Sequence, residues 1–159
     1  MDDPVQPGDH EAQESQQARF HFFIIDSGWK SVSARVIREN FRMIRAFQND
    51  DPLYVLSQQQ SIALIRANPD WIGKDPIILV HDILTRTEPS PTGYCGFRLC
   101  LGLIKNSEKA VEALQNFLRF VHNHRRSCDI EQKIQEQLHR EGFRNTIEVL
   151  RQGPSELIV

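Results

Sequence analysis

The chain has 159 residues, 40% of them apolar and 25% charged, with a net charge of −2, as expected for one globular domain with a sizeable core. Its longest apolar runs, Phe22–Ile25 and Ile77–Val80, are far too short to span a bilayer. The opening residues show neither the basic and apolar regions of a secretory signal nor the Arg-rich bias of a transit peptide, so a cytoplasmic protein is expected.

The charge is unevenly spread. Residues 1–18 hold five acidic groups (Asp2, Asp3, Asp9, Glu11 and Glu14) and no Lys or Arg, which leaves 19 basic against 16 acidic side chains in the remainder. That surplus is too mild to demand a polyanionic partner. Arg outnumbers Lys fourteen to five, and Arg suits two-pronged contacts to carboxylate or phosphate. The three cysteines, Cys95, Cys100 and Cys128, form no C-x-x-C, and their odd number fits a reducing compartment better than a disulfide framework.

In chain order, residues 1–18 read as a disordered acidic tail, since they offer almost nothing to bury. Phe20–Asp26, a short aromatic and β-branched run, reads as a central strand. A turn at Gly28–Ser31 follows, with Ser31 or Ser33 placed to cap the next helix. That helix is expected to run unbroken to about Gln48. Val36, Ile37, Phe41, Met43, Ile44 and Phe47 share one apolar arc of about 160°. Arg35, Arg38, Arg42 and Arg45 gather in an arc of about 80° on the other side. Asn49–Pro52 stops the helix.

Leu53–Leu56 is a second strand, followed by a helix opening at Ser57–Gln60 and ending at Asn68–Pro69. Ile77–Val80 is a third strand, apolar throughout and so expected to be buried on both faces. A Pro-rich connector, Thr85–Gly93, leads to a fourth strand over Gly96–Ile104. Ser107 is placed to cap a long amphipathic helix that ends in the basic stretch His122–Arg126. Asp129 opens a thinner one through Ile130, Ile134 and Leu138. Asn145 and Glu148 have capping-box spacing for a last short helix. The divisions that result are the tail (1–18), an α/β core domain (19–127) and a helical C-terminal extension (128–159).

Two architectures fit these strands. In a doubly wound parallel sheet, Asp26, Ser57, Asp82 and His81 converge at the carboxyl edge, where two carboxylates would hold Mg²⁺ and a phosphate. The chain lacks a Gly-rich phosphate loop, since Asp26-Ser27-Gly28-Trp29 is neither of the known fingerprints. The second architecture rests on a resemblance. A βαβ unit, a helix, an X-Pro opening an apolar strand, another strand and a closing helix over about Phe20–His122 are similar to the thioredoxin-like fold. Trp29 stands where that family has a Trp before its redox motif. Lys30-Ser31-Val32-Ser33 then occupies the place of C-x-x-C, and Asp75-Pro76-Ile77 looks like the segment carrying the family's cis-proline.

Without thiols at the redox positions, the disulfide chemistry cannot be carried over, because exchange needs one thiolate to attack and another to resolve. The resemblance thus implies a four-stranded, redox-inactive member, with a groove beside Pro76 for a protein partner. The candidate partner-binding residues are Trp29, Lys30, Ser31, Ser33 and Pro76. The Arg35/Arg38/Arg42/Arg45 stripe is a second docking surface, and the C-terminal helices offer a route to self-association.

Nucleic acid is disfavoured, because the aromatic residues of the striped helix lie on its core side rather than among the Arg side chains. A membrane is not expected. No cofactor or metal is expected either: His122 and His124 point apart on a helix, His124 and Cys128 supply two ligands rather than a set, and His21 reads as a core or edge residue. The favoured reading is a non-catalytic binding or assembly module. The competing one is a Rossmann-like phosphate- or nucleotide-handling enzyme that uses Asp26 and Asp82.

Overall fold

A computed structural model describes residues 18–28, 32–48, 51–143 and 145–151. Residues 1–17, and with them most of the acidic tail, lie outside that set. So do Trp29, Lys30 and Ser31.

The described residues form an α/β structure with a five-stranded mixed sheet and six α-helices. In chain order these are β1 (Phe20–Ile25), α1 (Val32–Glu39), α2 (Phe41–Gln48), β2 (Leu53–Val55), α3 (Gln58–Ala67), β3 (Ile77–Asp82), α4 (Leu84–Thr87), β4 (Tyr94–Cys100), α5 (Ser107–Asn123), α6 (Ile130–Lys133) and β5 (Ile147–Arg151). Short 3₁₀ turns cover Pro69–Trp71 and Leu101–Leu103, and α6 continues as a π-helix over Ile134–Phe143. The strand order is β2-β1-β3-β4-β5. Strand β2 runs parallel to β1, and every other neighbouring pair is antiparallel.

Alternation along the strands builds two cores. Phe20, Phe22 and Ile24 of β1, Ile78 and Val80 of β3, and Phe97 and Leu99 of β4 pack under α1, α2 and α5. Phe97 is the hub of this layer, edge-on to Phe20, Phe117 and Phe120 at centroid distances of 5.5–6.2 Å. On the other face, Phe23, Ile25, Ile77, Leu79 and Cys100 meet Leu64, Ile65 and Trp71. Strand β3 is therefore buried on both sides, as its continuous apolar run requires.

Several elements differ from expectation. The helix expected to be continuous to Gln48 is broken at Asn40, whose side-chain amide donates to Val36 O at 2.8 Å beside its own backbone N–H at 3.0 Å. Asn competes with helical backbone in this way, which weakens it inside helices. The fourth strand starts at Tyr94 and ends at Cys100, where the chain turns into the 3₁₀ segment. Asn106, rather than Ser107, caps α5, its side chain accepting from Lys109 N at 3.1 Å.

The last short helix is strand β5 instead, so the sheet has five strands where four were expected. Ile147 and Val149 alternate with Glu148 and Leu150, and the free edge of β4 supplies ladder partners for all four. The apolar stripe Ile130, Ile134 and Leu138 packs into the first core. No helix among the described residues is long and apolar enough to cross a membrane.

Candidate binding groove at the Asp75–Pro76 end

The carboxyl end of β1 is held by a compact set of hydrogen bonds. Asp26 accepts from Gly28 N at 3.0 Å, which closes an Asx turn. Gly28 itself sits at φ +87°, a conformation that disfavours any side chain. Asp26 N donates to Ser61 Oγ at 3.0 Å, and Gln58 donates its side-chain amide to Ser27 O at 3.1 Å, tying the turn to the start of α3. Helix α3 has a full capping box, Ser57 with Gln60. Ser27 gives both its backbone N–H (3.0 Å) and its hydroxyl to Asp75 Oδ2. The turn after β1 thus leans on the residue before Pro76, and the Asp75–Pro76 peptide bond is cis.

The opposite wall comes from two backbones in close approach. Gly102 N donates to Lys74 O and Leu101 N to Pro76 O, both at 3.0 Å. A Cβ on Gly102 would stand 2.3 Å from Asp75 O and 2.8 Å from Gly73 O, so only glycine fits. Between these walls opens a groove of about 1010 Å³. Ile62, Ile65 and Ile72 are its apolar lining; Ser27, Gln58 and Asp75 line it with polar groups; Arg66 and Lys105 are exposed cations along it. Ile72 is 69% exposed, unusual for isoleucine. None of the described lining residues is His or Cys.

The thiols lie elsewhere. Cys100 is fully buried and Cys95 nearly so. Burial, reinforced by the Glu148 charge, pushes the Cys100 thiol up to about 11. Burial and the Asp82 charge take Cys95 to about 11 as well. Neither offers a thiolate at neutral pH. Cys128 is exposed.

The two carboxylates expected to share a cation are not brought together. Asp82 pairs in register with Phe20 at the start of β1, whereas Asp26 follows its end, so the strand's length, about 20 Å, separates them. Asp82 is 1% exposed. It accepts a two-pronged pair from Arg19 (3.3 and 3.1 Å) and the Tyr94 hydroxyl at 3.0 Å. Burial, then the Asp82 charge, holds the Tyr94 phenol far above its ordinary value. Arg19 also donates to the carbonyls of Arg125 and Ser127 (2.8 and 2.6 Å) beyond the end of α5, where the helix dipole favours a cation.

Of the other predicted site residues, Pro76 is buried and does not itself line the groove, which its neighbour Asp75 does. Ser33 is buried too, its hydroxyl hydrogen shared between Leu101 O (2.7 Å) and Ile104 O (2.8 Å), so it braces α1 against the 3₁₀ turn rather than capping the helix. Arg35, Arg38, Arg42 and Arg45 are all exposed on the side of α1 and α2 away from the core. Arg35 pairs with Glu39 at 3.1 Å.

Sequence reasoning missed Arg19 and Arg98. Arg98 is 4% exposed, carries its guanidinium 4.8 Å from the Trp71 ring and pairs with Glu148 of β5. A charged residue in a strand otherwise apolar on both faces is the one signal that pointed to it. No family model matches the chain, and neither the curated proteins nor the solved structures contain a significant match.

Proposed function

We propose that the chain is a non-catalytic, thioredoxin-like protein-binding module whose groove at the Asp75–Pro76 end receives an extended segment of a partner protein. The groove carries the reading: it is open, lined by both apolar and polar residues, and built from backbone that neighbouring segments hold in place. Preorganised walls lower the ordering cost of binding. The strand order β2-β1-β3-β4, with β3 antiparallel to β1 and opening on Pro76, supports the thioredoxin-like assignment. The raised thiols of Cys95 and Cys100 support a role without disulfide exchange. Arg66 and Lys105 favour partner segments that place a carboxylate beside an aliphatic side chain.

The metal-dependent enzyme reading needs Asp26 and Asp82 on one cation, and β1 stands between them. The experiment is selection from a displayed random-peptide library on the intact protein, repeated on Ile72→Asp and Arg66→Glu. Peptides that bind the parent and lose at least about tenfold on both variants support the groove. Enriched peptides that bind all three proteins equally sink it.

A further inference from the structure

Strands β1 and β3 set two histidines directly across from one another. His21 is the register partner of His81 in the antiparallel pair, and directly opposed residues hold their Cβ atoms about 5 Å apart. Alternation puts both on the face of Phe23 and Leu79. Leu64, Ile65 and Trp71 cover that face around Phe23, Ile25 and Ile77, while His21 and His81 stay partly exposed. Tyr54 stands edge-on to His21 at 5.8 Å.

The ring nitrogens are unevenly satisfied. His21 Nδ1 is buried and has no hydrogen-bond partner, an arrangement that calls for a water or an ion. His81 Nδ1 lies 3.4 Å from Arg86 Nη2. A guanidinium has only hydrogens to give, so that nitrogen presents its lone pair and the His81 proton sits on Nε2.

We propose that His21 and His81 form a binding site for a divalent transition-metal ion of the imidazole-preferring class, Zn²⁺ or Ni²⁺, held by one ring nitrogen from each strand and completed by water. Such ions bind neutral imidazole. The surrounding charges are mixed. Arg86 opposes a cation, while Asp51 acts on His21 and Asp82 on His81 in its favour. Arg86 is exposed and donates to His81 Nδ1, so it competes with the metal for that nitrogen. No group of three His, Cys, Asp or Glu side chains suited to a metal occurs among the described residues. The site is therefore a two-ligand one, with micromolar rather than nanomolar affinity and with coordination positions open to a further ligand.

The test is titration of the full chain with zinc sulfate, read from the imidazole resonances of ¹⁵N-labelled histidines. The His21 and His81 signals shift together and saturate. His21→Asn and His81→Asn each weaken zinc uptake by about tenfold or more, and Arg86→Ala tightens it by about threefold. If a variant fails to fold, the ring shifts of the parent still decide. The site is overturned if zinc moves the signals of other histidines while His21 and His81 stay put. It is equally overturned if the double variant, folded, takes up zinc with unchanged affinity.

Discussion

Arg98 of β4 gives hydrogens from both Nε and Nη2 to one carboxylate oxygen of Glu148, while Lys74 holds the other oxygen at 2.8 Å. This triad fastens β5 to the sheet and to the loop before Pro76. Burial pushes the Glu148 carboxyl up, but the hydrogen bonds and charges of Lys74 and Arg98 outweigh it and hold the group below its ordinary value of 4.5.

A carboxyl whose pKa is lowered by folding adds stability above its unfolded value, and that stability fades as pH falls through the folded value. Glu148→Gln leaves a buried guanidinium facing a neutral amide. Since Glu148 is about a third exposed, the cost is about 2 kcal/mol, below that of a fully buried pair. Urea unfolding at pH 7 shows the full loss. At acidic pH the parent and variant curves converge; a difference that stays constant with pH would refute the assignment.

Gly102→Ala forces a methyl group into the carbonyl of Asp75. The obstacle is backbone, so the loop must move. Destabilisation of about 2–4 kcal/mol is expected, with a drop in affinity for any groove-selected peptide larger than the one for Gly73→Ala. Nothing lies within 4 Å of a Cβ on Gly73, although its φ of +82° adds strain there. Calorimetry and peptide titration on both variants provide the comparison.

The two aspartates differ in what they hold. Asp82→Asn breaks a buried ion pair and weakens the Tyr94 contact, with an expected loss of about 3 kcal/mol. Asp26→Asn keeps an acceptor for Gly28 N and costs less than about 1 kcal/mol, leaving peptide affinity unchanged. Equal losses in thermal unfolding would contradict this division.

Thiol accessibility gives a direct reading of the second core. In the native protein, Ellman's reagent reacts quickly with Cys128 alone; all three cysteines react after unfolding. Fast reaction at Cys100 would mean that the face carrying Trp71 and Arg98 is open.

Arg38→Glu with Arg42→Glu changes two exposed side chains, so stability should move by no more than about 0.5 kcal/mol. If the stripe docks a partner, binding that survives the Ile72→Asp change is lost here. If every measured interaction is untouched, the stripe is a solvated helix face.

Strands β1 and β3 were legible because each is a compact apolar run bounded by turn residues. The helix after β1 was half legible: its apolar arc is real, but periodicity does not register the division at Asn40, where the side-chain amide shares Val36 O with the backbone N–H. Strand β5 was misread because Asn145 and Glu148 have helix-start spacing, whereas the deciding factor was the free edge of β4, a tertiary feature. The groove was legible only as a place beside Pro76. Its walls depend on Gly102 meeting Lys74 and Asp75, contacts between distant segments. The His21–His81 pair was invisible for the same reason, since only the register of β1 against β3 joins positions 21 and 81.

The Arg19 clamp has a mechanical consequence. It sits where the chain enters a strand flanked on both sides, by β2 and by β3. A pull applied through residue 19 along the strand loads the guanidinium contacts to Asp82 and to the carbonyls beyond α5 first, and then both hydrogen-bond ladders of β1 in shear. Force arriving from that side meets two ladders at once, whereas β5, the last described strand, lies at the sheet edge and is held by one ladder alone.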